Sequence, residues 1–201
     1  MKFILASNSP RRRQLLSGLD IPFEVRLIDG IDESYPSVLP VEQVPVFISR
    51  RKAEAYTLSA EELLITADTI VALDGEVIGK PVDLDDARRM LRRLSGRTHH
   101  VITGVTLRGE HVRSHSSDAS DMYSFGAVTK VTFDSLSDSQ IDYYVDTYRP
   151  LDKAGGYGVQ EWIGYVGVSG IEGSYYNVMG LPVQRLAQAL HQILGDLYPQ
   201  P

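Results

Sequence analysis

The stretch from Ala67 to Pro81 constrains the fold more than any other part of the chain. Leu63-Leu64-Ile65 leads into it and Ile70 to Leu73 continues it, so one buried strand has to carry Asp68 and Thr69 in its middle. A carboxylate there is costly to bury without compensation, so Asp68 must meet a cation or a metal, or open into a cleft. Asp74-Gly75 is a strong two-residue hairpin signal, from which Glu76-Val77-Ile78 returns antiparallel toward Gly79-Lys80-Pro81. That fold-back is predicted to bring Lys80 near Asp68. A structural salt bridge and a functional cleft both satisfy these residues taken alone.

The chain before this stretch supplies basic clusters at helical positions. Phe3 to Ala6 reads as a short buried strand, and Ser7-Asn8-Ser9-Pro10 as a turn with an N-cap and proline at the first helical position. The helix predicted over Arg11 to Leu19 buries Leu15, Leu16 and Leu19 and crowds Arg11, Arg12 and Arg13 around its first turn. Three cations at a helix N-terminus oppose the macrodipole, at roughly a few tenths of a kcal/mol each. With the free N–H groups and the hydroxyls of Ser7 and Ser9 they describe a phosphate cradle; a solvated basic surface is the plainer alternative. Phe23 to Leu27 alternates like a half-buried strand and leads to an acidic turn, where Asp29, Asp32 and Glu33 are hard oxygen ligands. A helix follows from about Val41 to Thr57, with Val44, Phe47, Ile48 and Ala55 inward and Arg50, Arg51 and Lys52 as a second basic cluster.

Beyond the hairpin, Asp83 caps a helix carrying Leu84, Ala87, Met90, Leu91 and Leu94, closed by Ser95-Gly96. Thr98 to Leu107 reads as a strand on which His99 and His100 point to opposite sides and cannot chelate one metal together. The polar residues from Arg108 to about Met122 form a hairpin connection to a strand over Phe125 to Phe133. Ser137 and Gln140 form a capping-box pattern for a helix with Ile141, Tyr144, Val145 and Tyr148 inward. The glycines of Pro150 to Gln160 let backbone approach a ligand, and Lys153 can meet a phosphate, yet the spacing matches neither the Walker nor the Rossmann pattern. Trp162 to Val168 is read as a strand, Glu172 to Gly180 as a compact turn, and Pro182 starts a last helix with Val183, Leu186, Leu190, Ile193, Leu194 and Leu197 inward.

The totals exclude several classes. A chain of 201 residues buries a sizeable core as one domain or two small lobes, and no composition break separates domains. A net charge of -6 argues against broad nucleic-acid binding, though not against a locally basic pocket. Without cysteine there is no disulfide framework or thiol nucleophile, which fits the cytoplasm best. No apolar run reaches membrane-spanning length, and no targeting segment or membrane partner is expected. Serine-histidine-aspartate chemistry lacks a nucleophile elbow. What remains is a set of cations at Arg11 to Arg13, Lys52, Lys80 and Lys153, and carboxylates at Glu33 and Asp68. Hydrolysis of a phosphoanhydride needs these groups: cations for phosphate oxygens, carboxylates for a divalent metal, and a base for water.

Nine segments also resemble the Maf family of nucleoside triphosphate pyrophosphatases. They are Ala6-Ser7-Asn8-Ser9-Pro10-Arg11-Arg12, Glu33, Arg51-Lys52-Ala53, Ala67-Asp68-Thr69-Ile70-Val71, Gly79-Lys80-Pro81, Leu94 to His99, Asp152 to Gln160, Gly173-Ser174-Tyr175 and Gly180-Leu181-Pro182. The resemblance covers nearly the whole chain; the polar stretch around Arg113 to Met122 is longer than the family usually has and reads as a surface insertion. It implies an α/β fold, Maf-like and akin to inosine triphosphate pyrophosphatase, with an elongated mixed sheet and two lobes around a deep nucleotide-binding cleft in a single domain over residues 1–201. It also implies a homodimer, and cleavage of a nucleoside triphosphate between the α and β phosphates with Mg2+, Mn2+ or Co2+.

Carried over residue by residue, Ser7, Ser9, Arg11 and Arg12 would bind the phosphates, with Lys153 a further phosphate contact. Lys52 and Lys80 would neutralise charge, Glu33 and Asp68 would hold the metal, and Asp68 would also be the base. Asp68-Thr69-Ile70 resembles the subgroup acting on dTTP and UTP, since the subgroup acting on 7-methyl-GTP differs after the aspartate; Thr69, Lys80 and Gln160 are candidate selectors. The implied role is to clear modified or surplus pyrimidine nucleotides. The same resemblance brings a second reading, a non-enzymatic nucleotide-binding regulator of septum formation.

Overall fold

The structure, a computed structural model, describes residues 1–113, 120–195 and 198. Seven strands, β1 (Lys2–Leu5), β2 (Phe23–Val25), β3 (Glu62–Leu73), β4 (Glu76–Ile78), β5 (Thr98–Arg108), β6 (Met122–Phe133) and β7 (Val168–Glu172), form one sheet. Its order is β2-β1-β3-β5-β6-β7, with β4 paired to β3. The sheet is mixed: β1 runs parallel to β2 and β3, whereas β3–β4 and β6–β7 are antiparallel. The helices are α1 (Pro10–Ser17), α2 (Val44–Glu54), α3 (Leu84–Leu94), α4 (Glu110–Arg113), α5 (Asp138–Tyr148), α6 (Trp162–Gly167), α7 (Tyr175–Val178) and α8 (Val183–Leu194). The α/β expectation therefore holds.

The chain forms two compact units: Met1–Asp68 with Thr103–Ala127 and Gly180–Pro201, and Thr69–Ile102 with Val128–Met179. Since β3, β5 and β6 each contribute residues to both, no single boundary separates the units along the sequence. That interleaving explains why composition shows no break.

In the first unit, β3 begins as a strand buried on both faces. Leu63, Leu64 and Ile65 are fully buried, and each contributes about 1.5–3 kcal/mol by leaving water. Helix α2 approaches the neighbouring β5 at backbone distance. A Cβ built on Gly104 would lie 2.3 Å from the Pro45 carbonyl and the Val46 nitrogen, so glycine is the residue that lets the two elements meet. Hydroxyls complete the docking: Thr66 donates to the Ser49 carbonyl at 2.7 Å, and the Ser49 and Thr106 hydroxyls pair at 2.9 Å. Arg108 donates to the carbonyls of Ala53 and Tyr56 at 2.8 and 2.9 Å, satisfying acceptors at the end of α2. The strand entrance is held by Glu62, whose carboxylate takes both Arg26 Nη groups and the Ser59 N–H.

In the second unit, the hairpin forms as its residues dictate. Asp74 and Gly75 adopt positive φ, 54° and 79°, and Val71 pairs with Ile78. Asp83 caps α3 through the Asp86 N–H, and Ser137 and Gln140 make both bonds of a capping box on α5. Arg88 ties α3 to α5 through Asp142 at 2.9 Å and through Asp146. The histidines divide as expected: His99 is buried against the Tyr157 hydroxyl at 2.7 Å and His100 is exposed. Burial pushes the His99 pKa down to about 4.

Four expectations need correction. Trp162 to Gly167 is helical rather than strand; a short apolar run cannot separate the two, and Gly164 packs against the Val159 carbonyl so closely that a Cβ would lie 1.8 Å from it. Only Val168–Glu172 is strand. Ala55 is exposed because α2 stops at Glu54, and Ala53 takes its place in the core with Ile4, Tyr56 and Leu64. Tyr148 lies in the last turn of α5, 38 % exposed, with its ring stacked on Tyr144. The compact turn over Glu172 to Gly180 contains a Ser174-capped helical turn, α7. The inward assignment of Leu197 and most of the polar insertion fall outside the described residues.

Two outcomes test this account. Gly104→Ala should lower unfolding free energy by roughly 2 kcal/mol or more through overpacking against α2, as read by urea denaturation. Arg26 first, and then the Ser59 N–H, hold the Glu62 pKa down from near 4.5 to about 2. A depressed folded-state pKa contributes stability above the unfolded pKa that is lost as pH falls through the folded one. The wild-type advantage over Glu62→Gln should therefore be constant above pH 4.5 and shrink between there and pH 2.

Candidate functional site

The pleat of β3 places Thr66 and Asp68 on one side of the strand, and that side faces α2 in the first unit. Two contacts repeat along the pair of elements: Thr66 on the Ser49 carbonyl, and Asp68 on Lys52, one helical turn further along. The Lys52 ammonium lies 2.8 Å from Asp68 Oδ1 and 3.0 Å from Glu33 Oε1. Lys52 and Asp68 side chains are only 14 % and 13 % exposed, whereas Glu33, from the acidic loop, is 51 % exposed. Each such contact is worth on the order of 5 kcal/mol at an effective dielectric near 20, before desolvation. The two together compensate the burial of the ammonium.

The cation that meets Asp68 is thus Lys52. Lys80, in the second unit, is exposed and makes no ion pair among the described residues. Gly79 and Lys80 follow directly after the last paired residue of β4.

Helix α1 carries the second component. Ser9 caps it, accepting from the Arg12 N–H at 3.4 Å, and Pro10 opens it. Arg12 turns back from this first turn, donating to the carbonyls of Ala67 and Gly180 at 2.8 Å each and to the Ser7 hydroxyl at 3.5 Å. Burial lowers its pKa, partly offset by the field of Asp68 and, more weakly, of Glu33. Arg12 therefore fixes the backbone immediately before Asp68 while adding positive charge beside it. Ser7 is buried and accepts from the Ser9 N–H at 3.2 Å, and Arg13 pairs with Asn8 at 2.9 Å. The acidic loop divides its residues: Glu33 joins Lys52, while Asp32 accepts from the Ser34 N–H and hydroxyl and pairs with Arg51 at 3.4 Å. Those bonds from Ser34 hold the Asp32 pKa below its ordinary value.

The second unit holds the other candidates. Lys153 is buried, with its ammonium 2.8 Å from Asp152 and 3.1 Å from Glu161. Gly155 and Gly156 both take φ of 71°, and the Gly155 N–H donates to the Gly79 carbonyl at 2.9 Å, which joins the glycine loop to the segment carrying Lys80. Gln160 is partly buried with its Oε1 atom sealed from solvent, and Thr69, partly buried, opens this unit directly after Asp68.

Two carboxylates from separate elements already converge on one positive centre, and their oxygens suit a hard divalent cation that takes its remaining ligands from water and phosphate. The described residues contain no group of three or more histidine, cysteine or acidic side chains able to hold a metal alone. Glu33 and Asp68 by themselves supply two oxygen donors of the hard kind. Reading the sequence placed Tyr144 inward but missed Glu161, the bond between the two, and the Ser49, Thr66 and Thr106 hydroxyls. Small polar residues inside the apolar runs of α2, β3 and β5 were the available signal for the hydroxyls; nothing marked Glu161.

Residues 2–193 match the family described as Maf-like protein. A dTTP/UTP pyrophosphatase from Phocaeicola vulgatus is 57 % identical over 194 residues, covering 96 % of each chain. Proteins of the same name from Bacteroides fragilis and Parabacteroides distasonis are 53 % and 54 % identical, over 96 % and 94 % of each chain. With a family match over residues 2–193 and relatives at more than half identity over nearly the whole chain, the chain belongs to the Maf family.

Proposed function

We propose that this protein hydrolyses dTTP and UTP to the nucleoside monophosphate and pyrophosphate. The observation that carries the reading is the convergence of Glu33 and Asp68 on Lys52, beside a guanidinium held at the start of α1. Relatives named for this activity, at more than half identity over nearly the whole chain, favour it over the regulator of septum formation.

In the proposed step, water attacks the α-phosphorus, the bond from that phosphorus to the bridging oxygen breaks, and pyrophosphate leaves. Asp68 takes the proton from water. Lys52 holds its Oδ1, so Oδ2, which has no partner among the described residues, is the oxygen placed to act as base. Lys52 also moves a positive charge to where phosphate charge develops, and Ser7, Ser9, Arg11 and Arg12 bind the phosphate oxygens at the start of α1. A divalent cation, Mg2+, Mn2+ or Co2+, held by Glu33 and Asp68, would supply further charge neutralisation when bound. Lys80 and Lys153 are assigned to phosphate, and Thr69 and Gln160 to the base. By family resemblance the active form is a homodimer that clears surplus or modified pyrimidine triphosphates, and the absence of cysteine fits the cytoplasm best.

The test is incubation with ordinary and modified triphosphates plus Mg2+, Mn2+ or Co2+, with pyrophosphate and orthophosphate assayed separately. Pyrophosphate from dTTP and UTP is expected, and orthophosphate alone would overturn the reading. Asp68→Asn should lower kcat by about 10²-fold or more, the typical contribution of a positioned base, with circular dichroism unchanged. A wild-type rate in that variant would remove Asp68 from the reaction. Lys52→Ala should cut kcat/KM by about 10²-fold or more, as expected for removing one preorganised charge.

A further inference from the structure

Helix α2 lies along β5 by a matched pair of spacings. Gly104 meets the backbone at Pro45 and Val46, Thr106 meets Ser49, and Arg108 meets the Ala53 carbonyl, so every two strand residues answer four helical ones. Two residues of strand rise about 6.6 Å and four of helix about 6.0 Å, which keeps the elements in step over this length. Apolar packing alone would leave such a pair free to slide by a fraction of a turn, because it is not directional.

Hydroxyls remove that freedom. The Ser49 hydroxyl donates to the Val46 carbonyl at 2.8 Å, and with its one hydrogen committed there it accepts from Thr106 at 2.9 Å. Thr106 has then spent its hydrogen as well, so it accepts from the Ser124 hydroxyl at 2.9 Å. The chain from Ser124 through Thr106 and Ser49 to Val46 thus runs in one direction across β6, β5 and α2. From β3, Thr66 donates to the Ser49 carbonyl at 2.7 Å. Ser49, Thr66 and Thr106 are fully buried, so no solvent replaces a lost partner. Ser49 stands one helical turn before Lys52, and Thr66 two residues before Asp68 on the same face of β3. Fixing Ser49 against Thr66 fixes the origin from which the Lys52 stem reaches Asp68 Oδ1 at 2.8 Å. We propose that Thr66 and Thr106 are positioning residues for the hydrolytic step, whose hydroxyls set the register of α2 so that the ammonium engages Oδ1 and leaves Oδ2 for water. This rests on the pyrophosphatase reading above, and on Lys52 and Asp68 acting within it. Both threonines act only through Lys52. A displacement of about 1 Å in a reacting group costs on the order of 10²-fold in rate, so a fraction of that shift is felt in kcat.

The experiment measures pyrophosphate release from dTTP with Mg2+ for wild type, Thr66→Val, Thr66→Ser and Thr106→Val, with thermal midpoints, and repeats the valine variants in the Lys52→Ala background. Valine keeps the volume and deletes the hydroxyl, whereas serine keeps the hydroxyl and deletes the methyl group. Thr66→Val and Thr106→Val should lower kcat about tenfold with KM within about twofold, and Thr66→Ser should stay within about threefold of wild type. In Lys52→Ala, adding either valine should change kcat by less than about twofold, because the group being positioned is gone. If Thr66→Val fails to fold, Thr106→Val decides; if Lys52→Ala is too slow to follow, the order of serine and valine decides. A wild type active on dTTP with unchanged kcat in both valine variants would overturn the positioning role alone, as would equal losses in both backgrounds or a serine variant slower than the valine one. Wild-type protein silent on every triphosphate would overturn both this inference and the reading beneath it.

Discussion

The ion pair of Asp68 with Lys52 is the contact on which the arrangement of the first unit depends. A carboxylate in the middle of a strand buried on both sides demands a cation, and that cation must arrive on an element packed closely enough to deliver an ammonium. Helix α2 meets the demand because Gly104 lets its backbone lie directly on β5, and because Ser49, Thr66 and Thr106 bond across the junction. Glu33 then completes a triplet of charges in which neither Lys52 nor Asp68 is left uncompensated.

The same logic recurs in the second unit with different consequences. Lys153 also sits between two carboxylates, yet one of them, Glu161, is committed to a buried tyrosine and through it to the backbone of the glycine loop. In the first unit the second oxygen of Asp68 has no partner among the described residues; in the second the other oxygen of Glu161 accepts from Tyr144 and ties a loop in place. Two buried lysines with similar neighbours are thereby assigned different work, and the distinction comes from what the second oxygen of each carboxylate touches.

Arg12 illustrates how a group expected at a phosphate is also structural. The three arginines at the start of α1 suggested a cradle, but Arg12 spends donors on the carbonyls of Ala67 and Gly180. Its charge stays beside Asp68, so anchoring the chain and biasing the local field are done by one side chain. Substitution there would disturb position and charge together, which makes Lys52 and Asp68 the cleaner probes of the reaction.

Much of this was legible in the chain itself. Asp74-Gly75 dictated a hairpin because only residues tolerant of positive φ close a two-residue turn, and Ser9, Asp83 and Ser137 announced their helices through the N–H groups they cap. The ordered motifs identified the family. What the sequence left open was decided over distance. Lys52 meets Asp68 because α2 docks against β3, and no local pattern joins those two elements. Trp162 to Gly167 coils because Gly164 must pass close to Val159, a contact invisible to periodicity. Glu161 gains Tyr144 as a partner only through the packing of α5 against its segment. Local backbone preference is written residue by residue, whereas the partner of a buried charge is chosen by packing between elements far apart in the chain, and only the tertiary structure contains that choice.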